Sequence, residues 1–467
     1  MAGTAAGGAF MIRALRGEIP IAVPKTSYSE TAHRRNLMLL WAGQFVNTAG
    51  LMMLVPIMPF YLQGMGTGSV AATQTWAGVA IAAPALALTV ATPFWGRIGD
   101  RIGRKWMVVR ALLGLAVAMG VMATATTPLL LVAGRLLQGT LGGVVEAAAA
   151  FAGSVGSGAK RGSSLGKSFS ATAAGALAGP IAGGLFVGAG GLRPLMLVIA
   201  AAAVLLAAAC ALGLHEPARD PTDDNTPTGA SRRTRRPSVM RVPGAVPLAL
   251  AAIGAYFGVY GLIPVFAAQV SNTVSDQGAA SLWVGVLYSV MWGATLLGSF
   301  HWGRHNDTHK RPLRTFALAA VACAVSIAPL APPLDPALLI PLRLVQGFAF
   351  AALAQSLFLH FSNHAPQQHR SGFVSSANSF LLIGQAAGPL LAGPLIGLMP
   401  VALTIIVMAT ACAIGSVLAA GPARTENTTS GDTDNPEYGT EPRSEEASEE
   451  QTAPLPLIGT EHSPQRR

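Results

Sequence analysis

Apolar residues fall along this chain in long blocks. Each block is of the length that crosses a lipid bilayer, roughly 20 residues. Twelve runs can be marked, at 37–62, 75–95, 106–126, 128–152, 165–187, 194–214, 244–268, 281–302, 313–331, 336–361, 371–397 and 400–420. They divide six and six. Between the sets lies HEPARDPTDDNTPTGASRRTRRPSVMR, residues 215–241, polar and proline-rich like a linker. The pattern predicts an all-α membrane protein with twelve transmembrane helices in two six-helix halves. The expected division is a tail at 1–36, one half at 37–214, a linker at 215–243, a second half at 244–420 and a disordered tail at 421–467.

Lysine and arginine set the expected orientation. They gather in the N-terminal tail, in the linker and in the connections after runs 2, 4, 8 and 10, while the opposite connections hold only Arg193. Positive residues concentrate on the cytoplasmic side of membrane proteins. Both termini and the linker are therefore expected in the cytoplasm. That needs an even number of spans and agrees with twelve. The expected location is the inner (plasma) membrane, crossed many times. The first 36 residues read as a tail and not as a cleavable leader, because no small-residue cleavage signal follows a short apolar core.

Composition sharpens this. Of 467 residues, 51% are hydrophobic and 11% charged, and the mean hydropathy is +0.49. Soluble domains carry about 25% charged residues. So apolar a chain cannot bury its hydrophobic residues in one aqueous core; the lipid bilayer is its expected solvent. The net charge of +10 fits basic cytoplasmic loops better than nucleic-acid binding, and no nucleic-acid partner is expected. Cys210, Cys323 and Cys412 lie in apolar runs without metal spacing. No metal or other cofactor is expected. A phosphate-cradling loop and a nucleophile–base set are both missing, which argues against an ATP-driven pump and against an enzyme.

The two halves repeat one another. GRIGDRIGRK (96–105) aligns with GRHNDTHKRP (303–312), RLLQG (135–139) with RLVQG (343–347), and GALAGP (175–180) with GQAAGP (384–389), at offsets of 207, 208 and 209. A nearly constant offset over three patterns marks two copies of one six-helix unit.

Each pattern has a physical reading. In GRIGDRIGRK, Gly96, Gly99 and Gly103 are expected to allow a tight turn between runs 2 and 3. Asp100 can meet the positive end of a helix or an arginine. Arg101, Arg104 and Lys105 suit an anionic inner surface. An ordinary basic membrane loop shares this composition but not the full G-x-x-x-D-R-x-G-R-K spacing. RLLQG places Arg135 inside run 4, where a central arginine costs roughly 2.5–3.5 kcal/mol on insertion scales. It either faces a cavity or partner, or snorkels to an interface. GALAGPIAGG (175–184) carries Gly175, Gly179, Pro180, Gly183 and Gly184. Small residues at four-residue spacing let helix backbones approach closely in lipid, and neighbours can satisfy the carbonyl that a proline frees.

These patterns, with VPIMPFYL closing run 1 and GLRP at 191–194, resemble the major facilitator superfamily over residues 35–420. Within it, the chain resembles the twelve-span drug:proton antiporters. The resemblance implies the major facilitator fold. It implies that the 96–105 segment locks the halves in one conformation and releases them in the other. It implies that Arg135, with Gln138 and Gly139, takes part in proton handling, and that the run-5 pattern marks exporters that exchange substrate for protons. The second copy keeps Gly303, Asp307 and Arg311 but has Thr308 in place of Arg101, which implies a weaker role there. Gly384, Gly388, Pro389, Gly393 and Pro394 form a looser version of the run-5 pattern.

Glu146 is the single acidic residue within a predicted run, eleven residues past Arg135, or about three helical turns. A protonatable acid in a cavity is what proton coupling needs. Otherwise Glu146 sits near a membrane surface, solvated and idle. Drug antiporters of this kind carry an acid in run 1; here stand Gln44, Asn47 and Thr48. Glu146 and Arg135 are therefore the candidates for proton coupling. Tyr256 shares a helical face with Tyr260, and Tyr288 with Trp292. Aromatic and methionine side chains suit an adaptable cavity, though they serve equally in packing or against lipid. Gln355, Asn378 and Gln385 face either the cavity or neighbouring helices.

Three functions fit. The first is proton-driven export of small amphipathic compounds (a drug, an antibiotic or another natural product) by alternating access. The second is dedicated export of one metabolite such as a siderophore; an anionic one favours cavity cations, of which Arg135 and Arg343 are the deepest. The third is import, against which stands the complete run-5 pattern. The expected partners are the substrate, protons and the bilayer, and the expected state is a monomer.

Overall fold

The computed structural model describes residues 30–145, 147–148, 151, 161–188, 191–215, 239–242, 244–309, 311–365 and 370–431. Every regular element among them is helical. Before the 215–243 segment come α1 (Glu30–Leu54), the short α2 (Met58–Gln63), α3 (Val70–Ile102), α4 (Arg104–Ala123), α5 (Pro128–Leu141), α6 (Arg161–Gly188) and α7 (Leu192–Gly213). After it come α8 (Ala245–Ser271), α9 (Gln277–His309), α10 (Pro312–Ile327), α11 (Ile340–Asn363), α12 (Arg370–Leu398) and α13 (Val401–Gly431). Residues through Asn427 form one unit and Thr428–Arg467 a second, of which only the end of α13 is described.

Local chemistry sets several boundaries. The Ser69 hydroxyl accepts from the Ala72 N–H and starts α3, and Thr127 does the same for Leu130 at α5, with Pro128 in the first turn. Among the described residues ten helices are long and apolar enough to cross a membrane, and two shorter apolar stretches, Pro128–Leu141 and Ala171–Val187, stand at the fourth and fifth expected positions. Many large apolar side chains point outward, among them Leu205, Leu212, Leu398 and Val417. Such a surface aggregates in water and is satisfied by lipid.

Three expectations need correction. The 96–105 segment is not a glycine-rich loop. α3 runs helical through Gly96, Gly99, Asp100 and Arg101 to Ile102, and the chain turns at Gly103 alone, with φ +89°. Gly99 instead gives helix-to-helix room, since a methyl there would stand 3.1 Å from Met107. Run 4 is not one continuous helix either. α5 ends at Leu141, Gly143 takes φ +96°, and helical backbone resumes at Val144. Finally, α13 continues to Gly431, into the stretch whose composition predicts disorder.

The repeat is visible in the packing. α6 lies along α1 as α12 lies along α8, and α3 pairs with α5 as α9 pairs with α11. The glycines of GALAGPIAGG make the first of these contacts. A methyl at Gly175 would meet the Phe45 carbonyl at 2.6 Å, one at Gly179 the Ala49 carbonyl at 2.6 Å, and one at Gly183 the Met53 carbonyl. Gly384 and Gly388 meet Ile253 and Phe257 of α8 in the same way.

Helices before and after the 215–243 segment meet along two lines, α6 against α9 and α3 against α12. The two lines mirror each other. Gly184 faces the Ser281 carbonyl and Gly285 the Pro180 carbonyl; Gly393 faces the Gln74 carbonyl and Gly78 the Pro389 carbonyl. Corresponding residues lie 207 or 209 positions apart, so the seal repeats with the sequence. Ser281 Oγ donates to the Gly184 carbonyl (3.1 Å), Ser289 Oγ to the Leu177 carbonyl (2.7 Å), and Gln277 Nε2 to Gln63 Oε1 (3.2 Å). All these contacts gather toward the end opposite the Gly103 turn, called here the sealed end.

Candidate functional site

Between the two helix sets lies a cavity of about 280 Å³. Of the residues the sequence singles out, Asn47, Arg135, Tyr260, Tyr288, Trp292 and Gln385 line it. Four others do not. Gln44 is buried and accepts a bond from Thr172 Oγ1 (3.0 Å). Tyr256 is buried beneath Tyr260, their rings stacked 5.6 Å apart, because successive turns of α8 put only the outer ring on the cavity wall. Gln355 Nε2 reaches the Ser299 carbonyl (3.3 Å) in an α9–α11 contact. Asn378 is exposed and stands outside the cavity lining.

Arg135 is 1% exposed, and it is the one charged side chain among the described lining residues. Its Nε donates to the Ala80 carbonyl (3.0 Å) and its Nη1 to Gln138 Oε1 (2.7 Å). The R-x-x-Q spacing explains the second bond: residues three apart on a helix are neighbours. Gly139 presses against the backbone of Pro84, bringing α5 close to α3. The guanidinium is thus held by one carbonyl and one amide at the edge of an otherwise neutral, largely apolar and aromatic cavity.

Gly142 and Gly143 also line the cavity. Their break leaves the last carbonyls of α5 without intrahelical donors. Side chains from two neighbours supply them. Trp95 Nε1 donates to the Thr140 carbonyl (2.6 Å), and Arg110 donates through Nη1 to Leu141 and through Nη2 to Gly142, both at 3.1 Å. The Arg110 guanidinium also lies 3.7 Å over the Trp95 ring, a cation–π contact. A cation suits the negative end of a helix. The second copy keeps half of this device. Trp302 Nε1 donates to the Phe348 carbonyl (2.8 Å), but Phe350 and Ala351 stand where the glycines would be and α11 runs unbroken. Sequence reasoning missed this site. The signal was present as adjacent glycines in an apolar run, matched by an arginine one helix away. Arg110→Met is expected to cost about 2 kcal/mol, the scale of hydrogen bonds to a charged group. Arg110→Lys should recover part of it. Thermal unfolding in detergent measures both.

The remaining candidates separate by what is described. Gly103 is the turn and Arg104 the first residue of α4. Gly96, Asp100 and Arg101 lie in the helical backbone of α3 and Asp307 in that of α9, with side-chain surroundings outside the described residues, as is Glu146 altogether. Gly175, Gly179 and Gly183 face α1, while Pro180 and Gly184 face α9. Cys210, Cys323 and Cys412 are buried and free. Among the described residues no group of three potential metal ligands occurs.

An all-helical membrane bundle with a cavity between two repeated helix sets is the architecture of a small-molecule carrier. The chain belongs to the Major Facilitator Superfamily, whose family model matches residues 40–340 and 283–458. It is 35% identical over 393 residues to the Staphyloferrin B transporter of Staphylococcus aureus (strain NCTC 8325 / PS 47), covering 83% of this chain and 93% of that protein. It is 26% identical over 358 residues to Multidrug resistance protein MdtG of Escherichia coli (strain K12 / DH10B), covering 77% and 87%. A solved bacterial homologue of the human lysosomal transporter Spinster, inward-facing and unoccupied, superposes with TM-score 0.65 at 15% identity. The match covers 87% of this chain and 100% of that one, and it shows the shared fold. The protein is therefore a membrane transporter of small molecules and not an enzyme.

Proposed function

We propose that this transporter exports an anionic small molecule of the siderophore class, driven by protons, with the Gly103 end in the cytoplasm. The observation that carries this reading is Arg135, the one charged residue among the described residues of the cavity wall. A guanidinium fork pairs well with carboxylate-like groups. The similarity to a protein named a Staphyloferrin B transporter supports the same class over most of both chains. Tyr260, Tyr288 and Trp292 add an aromatic wall suited to the apolar body of an amphipathic substrate.

Under this orientation the sealed end faces outward, and the cavity exchanges with the cytoplasm. Loading there and opening of the seal carry the substrate out. Glu146, within the same run as Arg135, is the proposed proton carrier, and Glu146→Gln is expected to uncouple efflux from the proton gradient. Broad drug efflux is the second reading, favoured by the MdtG similarity and by the aromatic wall. Everted vesicles separate the two. With an acid-inside gradient, uptake of an anionic siderophore, followed by mass spectrometry, supports the proposal. Uptake of cationic dyes such as ethidium without any siderophore uptake overturns it in favour of drug efflux.

A further inference from the structure

The second copy of R-x-x-Q holds a guanidinium that the anionic-substrate reading does not yet use. Arg343 is fully buried, and its Nη1 donates to Gln346 Oε1 (2.6 Å), as Arg135 does to Gln138. There the likeness stops. Arg135 Nε has the Ala80 carbonyl, whereas Nε and Nη2 of Arg343 have no hydrogen-bond partner. Rings take their place. The guanidinium carbon lies 3.8 Å from the centroid of Phe266 and 4.3 Å from that of Tyr288, and Met291 Sδ is 3.9 Å from Nη1. The Tyr288 hydroxyl lies near the guanidinium but outside hydrogen-bond geometry. A buried cation with two idle nitrogens is costly unless something pairs with their N–H groups.

The repeat says what differs. Ile81 and Pro84 of α3 occupy the positions that Tyr288 and Met291 occupy in α9, 207 residues on. All four line the cavity, and so does Arg135, but Arg343 does not. Its cover is one side chain thick and made of a tyrosine and a flexible methionine. Rotation of the Tyr288 side chain about χ1 would remove part of the cover between the idle N–H groups and the cavity.

We propose that Arg343 is a second anion subsite, shielded by Tyr288 and Met291, and that the cavity takes substrates with two or more carboxylate-like groups, one on Arg135 and one on Arg343. This rests on the anionic-substrate reading and adds a preference for multiple charges. A single anion uses Arg135. A dianion of suitable length displaces Tyr288 and gains the second guanidinium. The buried charge then has its counter-ion only while such a substrate is bound.

The test is calorimetric titration of the full chain in lipid nanodiscs with linear dicarboxylates from succinate to suberate and with hexanoate. Wild type is expected to bind one length of dicarboxylate about tenfold or more tighter than hexanoate, the scale of an added charge-assisted hydrogen bond. In Arg343→Met that preference and its length optimum should disappear; Arg343→Lys should keep part of the preference. A preference that survives in Arg343→Met makes Arg343 a structural cation in an aromatic box and overturns the subsite. Equal binding of dicarboxylates and hexanoate by wild type overturns it too, while leaving the anionic reading standing. No binding of any carboxylate to wild type sinks the anionic reading and the subsite with it. Should Arg343→Met fail to fold, Tyr288→Ala decides. Uncovering the subsite should raise dicarboxylate affinity, and a purely structural Tyr288 predicts no rise.

Discussion

Gly285→Leu is expected to cut transport by more than tenfold while leaving the chain folded. Gly285 lies on α9, and a methyl built there runs into the Pro180 carbonyl of α6. The obstacle is backbone, which cannot turn aside as a side chain can. The three atoms nearest to that methyl all belong to Pro180 and Gly184 of α6, so the clash falls on the seal between the sets. Overpacking costs roughly 1–3 kcal/mol, and each 1.4 kcal/mol is a factor of about ten. The sealed state should therefore lose most of its population to the state open at that end. A cysteine at Asn47, on the cavity wall, reads this out. The native cysteines are buried and free, so labelling by a membrane-impermeant maleimide reports the new thiol. In the Gly285→Leu background, labelling from the sealed side should rise sharply. Unchanged labelling together with full transport would mean that the seal is not part of the cycle.

On the proposed anionic-substrate reading, Arg135→Met should cut transport about tenfold to hundredfold without unfolding the protein. Loss of a buried ion is costly when it strands an opposite charge, but Arg135 is held by neutral groups and the two left behind are modest. The Ala80 carbonyl and the Gln138 amide each lose one partner. The substrate loses a charge-assisted fork, about tenfold to hundredfold in affinity. Arg135→Lys keeps the charge and loses the fork, so it should fall between. Substrate binding and melting temperature, measured on the same preparations, separate loss of binding from loss of fold. A melting temperature that drops while binding of the surviving protein is normal would assign Arg135 to stability alone.

Much of the fold was legible because bilayer thickness acts directly on sequence. A 20-residue apolar run has few other uses, and the repeat at 207–209 residues gave the pairing of helices its pattern. GALAGPIAGG was read as a close-contact face, and its glycines do face α1 and α9. The details that escaped depend on competition between local signals and partners. The sequence around Gly96 and Gly99 looks like a turn, yet the helix persists, because a helical glycine costs only about 1 kcal/mol and Gly99 returns it by admitting Met107. The break at Gly142 and Gly143 is hidden for the opposite reason. Its stability comes from Arg110 and Trp95, far away in sequence. Cavity residues were half legible. Periodicity placed Tyr256 and Tyr260 on one face but could not say which of the two covers the other. Arg343 reads from the sequence as a deep cation, but the two aromatic rings at its free edge, Phe266 and Tyr288, come from other helices far off in the chain.

The seal between the helix sets has a mechanical consequence. It is built mainly from glycine faces against carbonyls, with a few neutral hydrogen bonds. Dispersion contacts of this kind forfeit a quarter to a half of their energy over about 0.5–1 Å of separation. Such a joint has little strength at intermediate gaps: it is either shut or gone. It behaves as a snap fastener and not as a spring. Opening at the sealed end is therefore an all-or-none event, and half-parted states of the cavity are sparsely populated.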